Sequence, residues 1–198
     1  DVLKAGIDAR VTWRGQAHAR EPRGNTYSTH SLGPMCKWLG INEGDRFEYL
    51  TSMHSRSPYP EAYIKRKFGE DSPQAAQIDW PERGQGGWNT TLIYTAKKNL
   101  ITVHYSTRSP IPQSNYYLIQ GTGGCYDSRK GIYFAENNNH QWKDFSPYMG
   151  KYNHRYWQKH GQAAKDSGHG GGDYFVIMDF VEMVRQNREP WIDVYDAV

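Results

Sequence analysis

"TTLIYTAKKNLITVHYST", residues 90–107, is two β-branched and apolar runs joined by Lys-Lys-Asn, a linker of hairpin length. The strand signal recurs in "NYYLIQGT" (115–122) and "GIYFAEN" (131–137), with "GTGG" at 121–124 read as a turn. Upstream, "DRFEYLTSMHS" (45–55) reads as a strand with Phe47, Tyr49 and Thr51 on one face. Strands following one another through short turns predict an antiparallel meander.

Helical signals flank this block. Apolar residues at Leu32, Met35, Cys36, Trp38 and Leu39 have helical spacing over 31–41, with Pro34 in the first turn and Gly40 as the stop. "PEAYIKRKFG" (60–69) and residues 153–165 are shorter helices, and 70–89 is a long polar loop. Asp173 is the expected N-cap of "YFVIMDFVEMVRQN", where Phe175, Met178, Val181 and Val184 share a face. Helix, sheet and helix in blocks predict a single α+β domain over 1–198: one open, mainly antiparallel sheet with helices on one face. Tyr94, His104, Tyr116 and Tyr133 place polar-tipped rings among Leu, Ile and Val. The uncovered face is therefore expected to be amphipathic and to pair with a second copy.

Composition narrows the function classes. Hydrophobic residues make up 37% and charged residues 23%, which is globular rather than disordered. The net charge of +3 is dispersed, "IKRKF" (64–68) being its densest cluster, so the basic stripe of a nucleic-acid binder is absent. No apolar run is long enough for membrane insertion. Cys36 and Cys125 fit neither a disulfide framework nor a zinc pattern, and two buried thiols are expected. The chain opens on "DVLKAG" without Met, as an excised or processed piece would. Aromatic content is high, with 15 Tyr and 7 Trp, many in polar settings such as "KYNHRYWQKH". Such rings suit sugar faces and equally suit the pinning of loops to a core.

No G-x-G-x-x-G is present, and "GQGG", "GTGG" and "GHGGG" lack both its spacing and its strand-to-helix setting. His154 and His160, six apart, do not share a helix face as metal ligands would. No G-x-S-x-G elbow appears, and the 21 Asp and Glu residues single out no carboxylate pair of the kind most glycosidases use. Tyr27 and His30 stand three apart at a helix entrance. Such an entrance is electropositive and favours neutral imidazole, the form a general base needs. A capping His above a packed Tyr accounts for the same spacing.

"RGNTYSTHSLGPMCKWLGINEGDRFEYLTSM" (23–53) resembles the substrate domain of glycoside hydrolase family 109. That family belongs to the glucose–fructose oxidoreductase and inositol dehydrogenase superfamily. The likeness continues through "SPIPQSNYYLIQGTGG" (109–124), "SGHGGGDYFVIMDFVEM" (167–183) and "WIDVYDAV" (191–198). It implies the C-terminal half of a two-domain protein whose N-terminal Rossmann domain binds NAD and is absent from this chain. It further implies glycoside cleavage by oxidation at sugar carbon 3, elimination across carbons 2 and 1, addition of water, and reduction. The implied substrate is an N-acetylhexosaminide, with α-N-acetylgalactosaminide as the leading case.

Carried over by motif, the resemblance gives His30 of "TYSTH" as acid or base at the reacting sugar and Tyr27 of the same motif beside it. Arg14 of "TWRG", Gln113 of "SPIPQS" and His169 of "GHGGGD" become substrate-binding residues. Related sequences often carry Tyr at the position of Gln113, a departure that bears on which sugar or acyl group fits. Plain dehydrogenases of the superfamily carry Asp where this chain has Thr26, which favours the glycosidase branch. Two alternatives stay open: a sugar or inositol oxidoreductase with net redox turnover, and a carbohydrate-binding or dimerising domain inactive by itself. The resemblance also implies a homodimer and export to the periplasm, a cytoplasmic location being the alternative.

Overall fold

A computed structural model describes residues 25, 28–56, 58–76, 87–106, 109–112, 114–137 and 139–194. The chain divides into two compact units, Asp1–Gln113 and Ser114–Val198. Both are α+β, with antiparallel sheets and no βαβ dinucleotide unit among the described residues.

In the first unit, helix α1 (Thr29–Leu39) leads into strand β1 (Phe47–His54), short helices α2 (Tyr59–Phe68) and α3 (Pro73–Ala76), and strands β2 (Asn89–Thr95) and β3 (Leu100–Tyr105). The sheet order is β1-β2-β3, antiparallel throughout. Alternation along β2 and β3 buries Ile93, Ile101 and Val103, and Leu32, Met35 and Leu39 of α1 pack onto them. Those three helix residues are spaced three and four apart, so one stripe of α1 meets one face of the sheet. The opposite face carries Tyr49, Met53, Leu92 and Leu100, all exposed. Among the described residues of this unit, helix α1 covers one face of the sheet.

Asp45 ties the unit together. Its buried carboxylate accepts hydrogen bonds from Thr95 Oγ1 (2.7 Å), the Lys97 and Arg46 backbone N–H groups (2.9 Å each) and Asn99 Nδ2 (3.1 Å). It fixes the start of β1 to the β2–β3 turn, where Lys98 takes φ 66°.

In the second unit, β4 (Leu118–Gly121), β5 (Gly124–Asp127) and β6 (Gly131–Phe134) form a separate three-stranded antiparallel meander. Helices α4 (Ser146–Tyr152), α5 (Arg155–Ala164) and α6 (Gly172–Gln186) follow. Phe145 and Tyr148 gather against Tyr126 and Phe134, with ring centroids 5.0–6.5 Å apart, and this aromatic cluster holds α4 to the sheet. Buried Asp127 accepts from the Arg129 backbone and guanidinium, closing the β5–β6 turn, while the same guanidinium lies 3.8 Å from the Tyr116 ring centroid.

Several expectations are corrected. One sheet over 90–137 is in fact two, because Pro110 and Pro112 offer no N–H to a ladder between them. The "GTGG" turn is narrower than read, since Gly124 already opens β5. Helix α1 starts at Thr29, so Pro34 lies in its interior and cannot make the helical hydrogen bond expected there. Asp173 is not the N-cap: α6 begins at Gly172 and Asp173 falls in its first turn. Phe175 and Met178 do turn inward, but Val181 and Val184 are exposed on α6. Cys36 and Cys125 are half-buried thiols rather than fully buried ones. Among the described residues no helix is long and apolar enough to cross a membrane.

Candidate active site

The glycine-rich segment "SGHGGGD" (167–173) connects α5 to α6. The Ser167 N–H donates to the Ala164 carbonyl (3.0 Å) as α5 ends. Three successive residues then take left-handed φ: His169 (52°), Gly170 (64°) and Gly171 (101°). Glycine adopts these angles without steric cost, whereas a histidine there is uncommon. Beneath the turn lies Trp157 of α5. A Cβ on Gly171 would sit 2.6 Å from its ring, so only glycine lets the turn close over the indole. Trp157 is itself fixed by Phe175 of α6, edge to face at 4.7 Å.

This turn holds His169 beside Asp173. His169 Nδ1 is 2.8 Å from Asp173 Oδ1, and the two side chains are 84% and 53% exposed. A carboxylate on one ring nitrogen sets the imidazole's orientation and tautomer and assigns proton exchange to the other nitrogen. The pair is open to a ligand from solution. Behind it, the Tyr156 hydroxyl donates to Asp179 (3.1 Å) and Arg188 pairs with the same carboxylate, which fixes α5 against α6.

His30 occupies a different setting in the first unit. It lies in the first turn of α1 and is exposed, with Ser28 at the N-cap position making no side-chain cap bond. The helix starts two residues earlier than the periodicity suggests, so His30 stands inside the helix rather than ahead of it. Arg14, Tyr27 and Gln113 lie outside the described residues. The structure thus joins His169 to Asp173, a pairing the sequence reading missed by giving Asp173 a capping role. The H-x-x-x-D spacing does not by itself give the pair, because residues 169–171 join it through left-handed φ rather than through a helical turn.

Among the described residues no group of three or more His, Cys, Asp or Glu side chains gathers as a metal site would. Nor do the described glycine-rich segments fit a dinucleotide. "GTGG" spans the β4–β5 hairpin and "GHGGG" joins helix to helix, whereas a pyrophosphate cradle follows a strand and opens a helix.

The chain matches the glycosyl hydrolase 109 C-terminal domain over residues 4–198. It is 38% identical over 198 residues to a glycosyl hydrolase family 109 protein of Shewanella pealeana, covering 96% of this chain and 42% of that protein. A family 109 protein of Shewanella amazonensis is 37% identical over 192 residues, covering 94% of this chain and 41% of its own length. One from Shewanella baltica is 36% identical over 193 residues, with the same shares. The chain therefore spans about two fifths of the length of these curated relatives. A family match across almost every residue, together with relatives above a third identical, means that the chain belongs to glycosyl hydrolase family 109, as that family's C-terminal domain.

Proposed function

We propose that this chain is the substrate-binding half of an NAD-dependent glycosidase acting on an N-acetylhexosaminide, with α-N-acetylgalactosaminide as the leading case. The observation that carries the reading is the His169–Asp173 pair, 2.8 Å apart on an exposed turn built from glycines. Glycoside cleavage needs a proton delivered to the departing oxygen, and an oriented imidazole reachable from solution is suited to deliver it. His30, exposed in the first turn of α1, is the acid or base that the family motif gives, and Tyr27 of the same motif is its companion residue for the substrate. Arg14 and Gln113 hold sugar hydroxyls or the N-acyl group. NAD would be held by an N-terminal Rossmann domain outside this chain and would supply a transient oxidation of the sugar. That arrangement agrees with the lack of a phosphate cradle in this sequence and with the chain's two-fifths share of its relatives' length. The partners are then the carbohydrate, the cofactor domain and a second copy of the protein; export to the periplasm goes with the reading.

The decisive experiment is His169→Ala in the intact enzyme. Turnover of an aryl N-acetylgalactosaminide falls by roughly 10²–10⁴, the range for a lost acid–base group, with the melting temperature held. Full activity in that variant would overturn the proton role of His169.

A further inference from the structure

We propose that Asp173 is the positioning residue for His169. It fixes the imidazole in the tautomer with hydrogen on Nδ1, so that the Nε2 lone pair takes up a proton from solvent and the resulting imidazolium passes that proton from Nε2 to the departing oxygen. The inference rests on the proton role given to His169 above.

Four observations carry it. Asp173 Oδ1 lies 2.8 Å from His169 Nδ1, and a carboxylate only accepts, so the shared hydrogen belongs to the ring nitrogen. The usual alternative employment of such an Asp, capping its helix, is already taken: Ser167 Oγ accepts the Tyr174 N–H at 3.1 Å. Gly168 leaves room for the carboxylate where it stands. A Cβ on Gly168 would collide with Asp173 Oδ2 and stand 3.2 Å from its Cγ, so an alanine there shifts the carboxylate from the position in which it meets His169. Finally, the backbone locks both partners into one ring. Gly171 N–H and Asp173 N–H both donate to the Gly168 carbonyl, at 3.1 and 3.3 Å, so the residue bearing the carboxylate is tied to the one preceding the histidine.

A solvated ion pair accounts for one close contact but not for the glycine that clears space or for the reassigned cap. Exposed pairs of that kind contribute little to stability. Whatever Asp173 does should therefore be read on the histidine and on turnover, not on melting.

The test uses the intact enzyme with ¹⁵N-labelled histidine. In the wild type the His169 resonances show the Nδ1–H tautomer. In Asp173→Asn they shift toward the Nε2–H form that unconstrained imidazole prefers, and kcat falls about 10–100-fold, as for lost outer partners of a working histidine, with KM nearly unchanged. Asp173→Glu restores both signals in part. Gly168→Ala reproduces the loss with Asp173 intact. An Nε2–H tautomer in the wild type, or a tautomer and kcat that Asp173→Asn leaves untouched, overturns the proposal and makes the pair a surface contact only. The tautomer is read without turnover, so a silent His169→Ala would sink the proton role while this measurement still decides what Asp173 does.

Discussion

At the scale of single residues, Asp45 and Asp127 are the buried carboxylates whose chemistry the sequence did not advertise. Asp45 becomes a hub because Thr95, Lys97 and Asn99, distant in sequence, converge on it, whereas Asp127 ends β5 and is met by Arg129 only two residues on. Burial by itself would raise the Asp45 carboxyl, but the combined donors Thr95, Lys97, Arg46 and Asn99 outweigh it and hold the group at about 2, below the ordinary 3.8. The Arg129 side chain and backbone likewise hold Asp127 at about 2. A depressed carboxylate contributes stability that is complete above the unfolded-state value and is lost as pH falls through the folded-state value. The melting temperature is therefore expected to drop between about pH 4 and about pH 2. Asp45→Asn should melt on the order of 5 °C lower near neutrality, with the gap to wild type closing over that same acidic window. A gap that stays constant to pH 2 would remove Asp45 from the explanation. The histidines show the opposite balance of legibility. "TYSTH" and "GHGGGD" stand out in the sequence, yet the partner of His169 emerged only when the turn was built, because left-handed φ at three residues cannot be read from letters alone.

At the scale of elements, strand and helix periodicity was legible wherever one face is buried. The paired strands at 89–95 and 100–105 follow from alternation and the stop of α1 from Gly40, whereas β1 is exposed along its length and a register shift between Phe47 and Tyr49 breaks the common face read for them. The four-residue β4 and β6 were still legible as strand signals, but β5 is nearly hidden inside a glycine turn, and α4 carries too few turns for a periodic pattern. In the second sheet glycine does sterically what alternation does in the first. Gly131 takes φ 111°, and a Cβ there would collide with the Lys143 carbonyl oxygen, which accepts the Ile132 N–H at 2.9 Å. Gly131→Ala thus forces both a strained backbone and a clash, and should destabilise the unit by about 1–3 kcal/mol. Gly161, inside α5, is the contrasting case. A methyl there meets the Trp157 ring at 3.5 Å, an ordinary contact, and the helix no longer carries a glycine. Gly161→Ala should stabilise by about 0.5–1 kcal/mol. Denaturant unfolding of the two variants side by side checks both signs, and a gain for Gly131→Ala would contradict the φ and contact assigned to it.

At the scale of the whole molecule, two proposed partnerships make predictions: one with the cofactor domain and one with a second copy. The phosphate-binding turn is missing from the sequence, so this chain is not expected to bind NAD at micromolar strength by calorimetry, whereas the intact enzyme should; tight binding by the chain itself would undo the division of labour. The second copy is argued from the outer face of the first sheet. Its nine paired positions are Tyr49, Thr51, Met53, Thr90, Leu92, Tyr94, Leu100, Thr102 and His104, with no lysine, arginine, aspartate or glutamate among them. Met53 is 76% exposed and Tyr49 65%, although Tyr49 already stacks on Tyr94 at 5.2 Å. A surface free of those charges, with Leu92 at its centre, Thr and Tyr hydroxyls next to it and Met53 and Leu100 exposed at two corners, has the make-up of an interface core rather than of a solvated sheet face. Leu92 is the residue to change. It projects from the central strand, between Thr51 on one side and Thr102 on the other. In a two-fold interface each substitution is counted twice, once per copy, and a glutamate at that position would bury two uncompensated charges. Leu92→Glu should therefore shift the intact protein from dimer to monomer in light scattering and raise the dissociation constant by at least about 100-fold. Its effect on the monomer's melting should be small, because the side chain faces away from Ile93, Ile101 and Val103. A wild-type protein that is monomeric at micromolar concentration, or a Leu92→Glu variant that remains dimeric, would assign this face to another role.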